Sequence, residues 1–153
     1  MGNTSVLIIF YVVIIAAFYF FMTNAQRVAE WLHDNDAVKV VYYPGLTDAQ
    51  GYDINRKQAK NGGAMIAFEL KEGYDYRIFF KSLKLISLAE SLGGVESLTC
   101  HPATMTHASL PREIRLKVGI TDNLIRLSVG IEHIDDIIAD LDQAIRNSKI
   151  GAD

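Results

Sequence analysis

The stretch NLIRLSVGIE, residues 123–132, decides how the chain is predicted to fold. Side chains along a β-strand point alternately to opposite faces, so this stretch has two different faces. One face is apolar throughout and consists of Ile125, Leu127 and Val129. The other face carries Leu124, Arg126 and Ser128, and a guanidinium keeps its charge at any physiological pH. We therefore expect a strand whose apolar face joins the core and whose second face presents Arg126 to a partner or to water.

Four further segments have the composition of strands, with β-branched and aromatic residues close to Gly or Pro turns. They are residues 38–43 (VKVVYY), 64–70 (AMIAFEL), 83–89 (LKLISLA) and 95–99 (VESLT). Residues 64–70 are mostly apolar on both faces, which predicts a strand that is covered on both sides.

Apolar residues recur at helical spacing in several other segments. The clearest is HIDDIIADLDQAIRN, residues 133–147, whose stripe consists of Ile134, Ile137, Ile138, Leu141 and Ile145. A second stripe, in residues 24–35, consists of Ala25, Val28, Ala29 and Leu32. Shorter helices are expected over residues 74–83, with Ile78 and Phe79 inward, and around residues 55–60. Another is expected to begin at Pro111 with Ser109 as its cap.

Helices and strands follow one another here without a strict β-α-β order. This pattern favours an α+β fold, a mostly antiparallel sheet with helices on one face. The face of Arg126 and Ser128 would then have no helix to cover it, and it would be wet or would meet something outside these residues. The 153 residues suffice for one domain, which we place at residues 24–150, preceded by an apolar helix at residues 1–23.

Residues 6–22, VLIIFYVVIIAAFYFFM, are apolar without a break, and the first 26 residues contain no Lys, Arg, Asp or Glu. As a helix this segment would extend about 25 Å, slightly less than the hydrocarbon core of a bilayer. Arg27 is the nearest positive charge, so a spanning segment would place the rest of the chain in the cytoplasm. Two interpretations stay open: a transmembrane-like anchor, or a leader acquired through truncation or a frame shift.

The composition argues against several functional classes. A formal net charge of −3 without a cluster of Lys and Arg gives no basis for binding nucleic acid. Cys100 is the only cysteine, which excludes an intrachain disulfide and a Cys-rich zinc site and fits a reducing compartment. None of the four histidines lies at the spacing of paired metal ligands, so no metal site is predicted.

Two long motifs resemble a known family. SLAESLGGVESLTCHPATMTHAS (residues 87–109) and GITDNLIRLSVGIEHIDDIIADLDQAI (residues 119–145) are similar to the C-terminal part of the PLP-dependent enzymes of cysteine and methionine metabolism. This family includes cystathionine γ-synthase, cystathionine β- and γ-lyases and related sulfhydrylases. VYYPGL, GGAMIAFEL and NAQRVAEWL resemble it too, so the likeness runs from about residue 24 to about residue 147. It implies the C-terminal domain fold of fold-type I PLP enzymes.

The resemblance implies substrate-binding roles for three residues. Arg126 falls on the position that binds the α-carboxylate of the amino-acid substrate, which is of the cystathionine or O-acylhomoserine type. Ser91 falls on a residue that helps to hold the same carboxylate. Glu90 is similar to a residue beside the distal part of the substrate in γ-type members, which favours cystathionine γ-synthase or γ-lyase. From the pattern alone, Arg126 could equally be a solvated face residue, Ser91 a turn residue and Glu90 a surface carboxylate.

In the family, pyridoxal 5'-phosphate (PLP) is held by a lysine, an acid and a phosphate cradle of a larger N-terminal domain. No lysine of this chain lies in the Ser-x-Thr-Lys context of the family. We therefore assign no catalytic residue, and expect the chain by itself to bind no PLP covalently and to have no turnover. His101 and His107 are expected to be polar loop residues rather than general bases, and Cys100 a small strand residue without a basic partner.

Three functional interpretations remain. The chain could be the C-terminal domain of a cytoplasmic transsulfuration lyase or transferase, present as a fragment. It could be a membrane-tethered module that binds amino acids or regulates without catalysis. A separate polypeptide could also supply the PLP-bearing large domain in trans.

Overall fold

The computed structural model describes residues 2–151, apart from the side chains of residues 2–4 and 17–22. Its strands are β1 (Val38–Tyr42), β2 (Met65–Leu70), β3 (Ser87–Leu88), β4 (Leu98–Cys100) and β5 (Leu124–Ser128). Its helices are α1 (Gly2–His33), α2 (Tyr52–Gln58), α3 (Tyr76–Ser82), α4 (Arg112–Lys117) and α5 (Ile134–Asn147). The strand order is β1-β2-β5-β4-β3, and only the β3–β4 pair is parallel. The α+β fold with a mostly antiparallel sheet is confirmed.

The core lies on the apolar face of β5, as the alternation in residues 123–132 predicts. Ile125, Leu127 and Val129 are fully buried there. Helices α1 and α5 contact each other, α3 contacts α5, and α1 also contacts β1 and β2. The predicted stripe of α1 is buried throughout, and in α5 only Ile138 of the predicted stripe is half-buried rather than buried. Burial of these apolar stripes against one sheet face is the main stabilising contribution to the fold.

The second face of the sheet is organised around the central strand β5. Arg126 is paired with Ala67 of β2 on one side and with Cys100 of β4 on the other, and Ala67 is in turn paired with Tyr42 of β1. Directly paired residues point to the same face, so these four side chains form one row across the sheet. The register therefore places Arg126 in the middle of the sheet, far from both edges.

The expectation that this second face would be left uncovered is wrong in part. Ser128 is 1% exposed, Leu124 8% and Cys100 fully buried, while Arg126 is half-buried. The connection between β3 and β4 covers Ser128, because the Gly93 N–H donates to the Ser128 Oγ at 3.0 Å. A connecting segment rather than a helix therefore closes part of this face.

Some of the predicted bounds differ from those in the structure. The strand expected over residues 83–89 is reduced to Ser87–Leu88, because the buried Asp140 carboxylate of α5 accepts the N–H groups of residues 84–86, each at 2.9 Å. Helix α2 begins at Tyr52, three residues before the predicted start. Ser109 does not cap α4, whose N-cap is Pro111 without a side-chain hydrogen bond.

The expected inward orientation of Ile78 is wrong, whereas that of Phe79 is confirmed. Phe79 is fully buried and packs edge-to-face on Phe68 with ring centroids 6.1 Å apart. Ile78 is 41% exposed. A seven-residue helix offers one narrow face to the core, and adjacent residues lie about 100° apart around its axis. Only one of the two neighbours can therefore point inward.

Helix α1 runs without interruption from Gly2 to His33, so the expected N-terminal helix is present. Within the part of the chain that the structure describes, no helix has both the length and the apolar character needed to cross a membrane. The transmembrane segment expected over residues 6–22 is therefore not found there. Its residues 17–22 lie outside the described side chains.

We predict that Asp140→Ala lowers the free energy of unfolding by about 3 kcal/mol, because three backbone N–H groups lose their acceptor. Asp142→Ala on the same helix removes an exposed pair with Arg146 (2.8 Å) and should cost no more than about 0.5 kcal/mol. Urea unfolding of both variants measures the difference. Equal losses for the two variants would contradict the assignment.

Candidate functional site

Arg126 is the one described arginine whose side chain has no partner among the described residues. The other arginines lie within 4.0 Å of a carboxylate or over an aromatic ring: Arg27, Arg77, Arg112, Arg115 and Arg146 near Asp residues, and Arg56 over Tyr52. Among the described residues, the Arg126 guanidinium has neither kind of contact, nor a hydrogen bond. A guanidinium that has no partner among the described residues can pair with an outside carboxylate or phosphate.

The side chains beside Arg126 in its row are small and neutral. Ala67 offers only a methyl group, and Cys100 is fully buried. Burial raises the pKa of the Cys100 thiol above its ordinary value, although the positive charge of Arg126 acts in the opposite direction. Arg126 is thus the basic neighbour that the sequence did not reveal, yet the thiol stays protonated at neutral pH. Neither of the two residues paired with Arg126 therefore provides an anion that could neutralise its guanidinium.

The buried acid on the same face already has partners. Glu69 is 3% exposed and opposes Leu124, two residues along β5 from Arg126. Its carboxylate accepts from the Lys39 Nζ at 3.1 Å and from the Tyr42 hydroxyl at 3.2 Å. The hydrogen bond to Glu69 raises the pKa of Lys39, and burial followed by the Glu69 charge raises the pKa of Tyr42. Lys39 and Tyr42 hold this carboxylate.

Ser91 and Glu90 lie on the connection between β3 and β4, residues 89–97, which we call the SLGG loop. Both side chains are exposed and make no hydrogen bond to the described residues. Gly93 takes a left-handed conformation (φ 98°), and its N–H is bonded to Ser128. Ser128 lies on the face of Arg126, about 7 Å along the strand. The structure thus brings the loop to the edge of the Arg126 site, and no described contact joins Ser91 or Glu90 directly to the guanidinium.

His101 lies in the loop directly after β4, as expected, but it is buried there. It is 2% exposed and stacks on Tyr76 with ring centroids 4.0 Å apart. Its Nδ1 lies 2.8 Å from the Thr104 Oγ1 and its Nε2 2.9 Å from the Asp122 carbonyl oxygen. Burial lowers the pKa of His101, so a neutral ring fixes the following segment. His107 is half-buried, with its Nδ1 2.8 Å from the Thr106 Oγ1.

Sequence reasoning did not identify the groups that hold the site together. Alternation placed Ser128 on the face of Arg126, but it did not show that the Ser128 hydroxyl accepts a hydrogen bond from the glycine loop. Nothing in the sequence indicated the roles of Asn24, Ser97 and Glu132. Their hydrogen bonds join the loop to the end of β5. Their contacts join residues that are far apart in the chain.

The lysines do not fit a site that holds PLP covalently. A lysine that forms such a bond is activated by desolvation in a pocket. Every lysine of the chain is exposed, and Lys39 is in addition engaged by Glu69 at 3.1 Å. The geometry on this face therefore supports carboxylate binding, and the chemistry of a cofactor would have to come from other residues.

Residues 21–146 match the family model of the Cys/Met metabolism PLP-dependent enzymes. The chain is 51% identical over 122 residues to a cystathionine β-lyase of Lactococcus lactis subsp. cremoris, covering 80% of this chain and 32% of that protein. It is 50% identical over 123 residues to an L-methionine γ-lyase of Fusobacterium nucleatum subsp. polymorphum, covering 80% of this chain and 31% of that protein. The chain thus spans about a third of the length of these relatives.

Solved structures give the same result. The crystal structure of cystathionine γ-lyase from Lactobacillus plantarum complexed with L-serine matches with a TM-score of 0.84 and 44% identity, covering 87% of this chain and 35% of that one. Cystathionine γ-synthase from Xanthomonas oryzae pv. oryzae in complex with cystathionine matches with a TM-score of 0.82 and 43% identity over the same shares. From the family match across residues 21–146, we conclude that this chain belongs to the Cys/Met metabolism PLP-dependent enzyme family.

Proposed function

We propose that this chain is the part of a PLP-dependent sulfur amino-acid enzyme that binds the carboxylate of the substrate. The observation that carries the proposal is the half-buried Arg126, whose guanidinium has no ion pair or hydrogen bond among the described residues. Domain 24–150 would correspond to the C-terminal domain of the full-length relatives, whose remaining two thirds this chain does not span.

The guanidinium suits this task for geometric reasons. Its planar fork can donate two parallel N–H bonds to the two oxygens of an α-carboxylate, and such a pair fixes both position and orientation. Arg126 is set in the central strand, flanked by strands on both sides, so its Cα is held rigidly. A rigid anchor for one end of the substrate sets the orientation of the reacting end.

The SLGG loop would complete the site. Ser91 has an exposed hydroxyl and an exposed loop backbone beside it, and would donate to the same carboxylate. Glu90 would face the distal part of the substrate, where a positively charged amino group of a cystathionine-type molecule is a suitable partner. The relatives named as cystathionine lyases, and the synthase structure that contains cystathionine, support a substrate of the cystathionine or O-acylhomoserine type.

PLP bound by a larger domain would supply the electron-withdrawing chemistry for breaking or forming the C–S bond. Because every lysine of the described chain is exposed, we infer that this domain comes from residues outside the 153, either in one polypeptide or in trans. The γ-type activities, cystathionine γ-synthase or γ-lyase, are favoured by Glu90 in the AESLGG motif. The chain alone would bind an amino acid weakly and would not turn it over.

Binding of L-serine, followed by NMR titration, tests the role of Arg126. We expect Arg126→Met to weaken binding about 30-fold, because two charge-assisted hydrogen bonds are lost. Arg126→Lys should weaken it by about tenfold, since the charge remains and the fork does not. L-Serinamide, which has no carboxylate, should bind as weakly to the wild type as L-serine binds to Arg126→Met.

The matched control is Arg112→Met, an exposed arginine paired with Asp122 at 2.7 Å. This control should leave the affinity for L-serine unchanged. If L-serine and L-serinamide bind the wild type equally, or if Arg112→Met weakens binding as much as Arg126→Met, the carboxylate assignment is wrong.

The pKa of Cys100 reports on the same guanidinium. Arg126 lowers the pKa of this thiol against the larger raising effect of burial, so Arg126→Met should raise it further. Saturation of the wild type with L-serine should shift it in the same direction, because the bound carboxylate neutralises the guanidinium. A pH titration of the ¹³Cβ shift of the single cysteine measures both effects, and an unchanged pKa in Arg126→Met would show that the guanidinium points away.

A further inference from the structure

The SLGG loop is joined to the end of β5 by a cluster of buried and part-buried hydrogen bonds. Ser97, which ends the loop, is fully buried. Its N–H and its hydroxyl donate to the two carboxylate oxygens of Glu132, at 2.6 Å and 2.8 Å. The same hydroxyl accepts from the Gly130 N–H at 2.9 Å. One carboxylate therefore fixes both the backbone and the rotamer of Ser97.

Helix α1 joins the same cluster. Asn24 is 5% exposed, and its Nδ2 donates to the Gly130 carbonyl at 3.1 Å and to the Glu132 carbonyl at 2.9 Å. These two contacts bridge more than a hundred residues of chain. The cluster thus joins three segments that converge beside the Arg126 strand: a helix, the SLGG loop and the turn after β5.

The loop and the turn approach each other too closely for any side chain at residue 130. A Cβ built on Gly130 would lie 2.5 Å from the Val95 carbonyl oxygen and would also collide with the Glu132 carboxylate. The Ile131 N–H donates to that Val95 carbonyl at 3.0 Å. Both backbone and side-chain hydrogen bonds therefore join the SLGG loop to the turn after β5.

We propose that Glu132 is the positioning residue that holds the SLGG loop, and with it Ser91, beside the guanidinium of Arg126. This inference rests on the proposed carboxylate-binding function. Glu132 itself has no arginine or lysine within 4.0 Å among the described residues. Its carboxylate instead accepts hydrogen bonds from the neutral N–H and hydroxyl of Ser97. A charged acceptor strengthens such bonds about twofold relative to a neutral one. The loop carries two adjacent glycines and would otherwise sample many conformations.

Hydrogen exchange of the Gly93 amide tests the proposal without any ligand. Gly93 bonds to Ser128 and does not touch Glu132, so its exchange rate reports on the loop as a whole. In Glu132→Ala we expect Gly93 and Ile131 to exchange about tenfold faster, with the core amides of Ile125 and Leu127 unchanged. Glu132→Gln keeps one acceptor oxygen and should give an intermediate rate. Asp136→Asn, an exposed acid in the next helix, is the matched control and should change none of the four.

Affinity for L-serine forms the second arm of the test. Glu132→Ala should weaken binding about tenfold while L-serinamide binding stays as it is. Three results in Glu132→Ala would overturn the positioning role. They are unchanged exchange at Gly93, equally faster exchange at all four amides, and faster exchange at Gly93 with full affinity for L-serine. If wild-type chain binds no L-serine at all, the proposed function fails. The exchange arm then still decides whether Glu132 anchors the loop.

Discussion

The structure depends on one constraint: a charge that cannot be removed is fixed in the middle of a sheet, and no residue in the described part of the chain pairs with it. Full burial of such a charge would cost several kcal/mol. The chain avoids that cost by leaving Arg126 half-buried, with small neutral side chains beside it and the neighbouring carboxylate of Glu69 bound to Lys39 and Tyr42. Water can solvate the guanidinium of a residue that is only half-buried.

The rest of the fold keeps this arginine in place. The apolar face of β5 lies in one buried core cluster with residues of α1, α3 and α5, so the strand cannot rotate to bury or expose Arg126 further. The strands on both sides fix its register through the pairs with Ala67 and Cys100. One face of this five-residue strand thus packs into the core, and the other face positions Arg126. A shift by one residue would exchange them and would bury the charge.

The sequence predicted the features that depend on periodicity, and missed those that depend on distant contacts. Alternation in residues 123–132 placed Ile125 and Arg126 on the correct faces, and helical spacing located the buried stripes of α1 and α5. Nothing local showed that Asp140 would take the N–H groups of residues 84–86 and shorten the strand there. The partial covering of the Arg126 face was missed for the same reason, since the Gly93–Ser128 bond spans 35 residues. The roles proposed for Ser91 and Glu90 come from the family resemblance, because spacing alone could not indicate them.

The most direct test of the account is the exchange rate of the Arg126 Nε–H in the free chain, followed by NMR with Arg112 as the internal reference. The Arg112 Nε–H donates to the Asp122 carboxylate at 2.7 Å. We expect the Arg126 Nε–H to exchange much faster than that of Arg112, and to slow to a comparable rate when L-serine is added but not when L-serinamide is added. An Arg126 Nε–H that is already as protected as that of Arg112 in the free chain would mean that the guanidinium has a partner of its own, and would contradict the account.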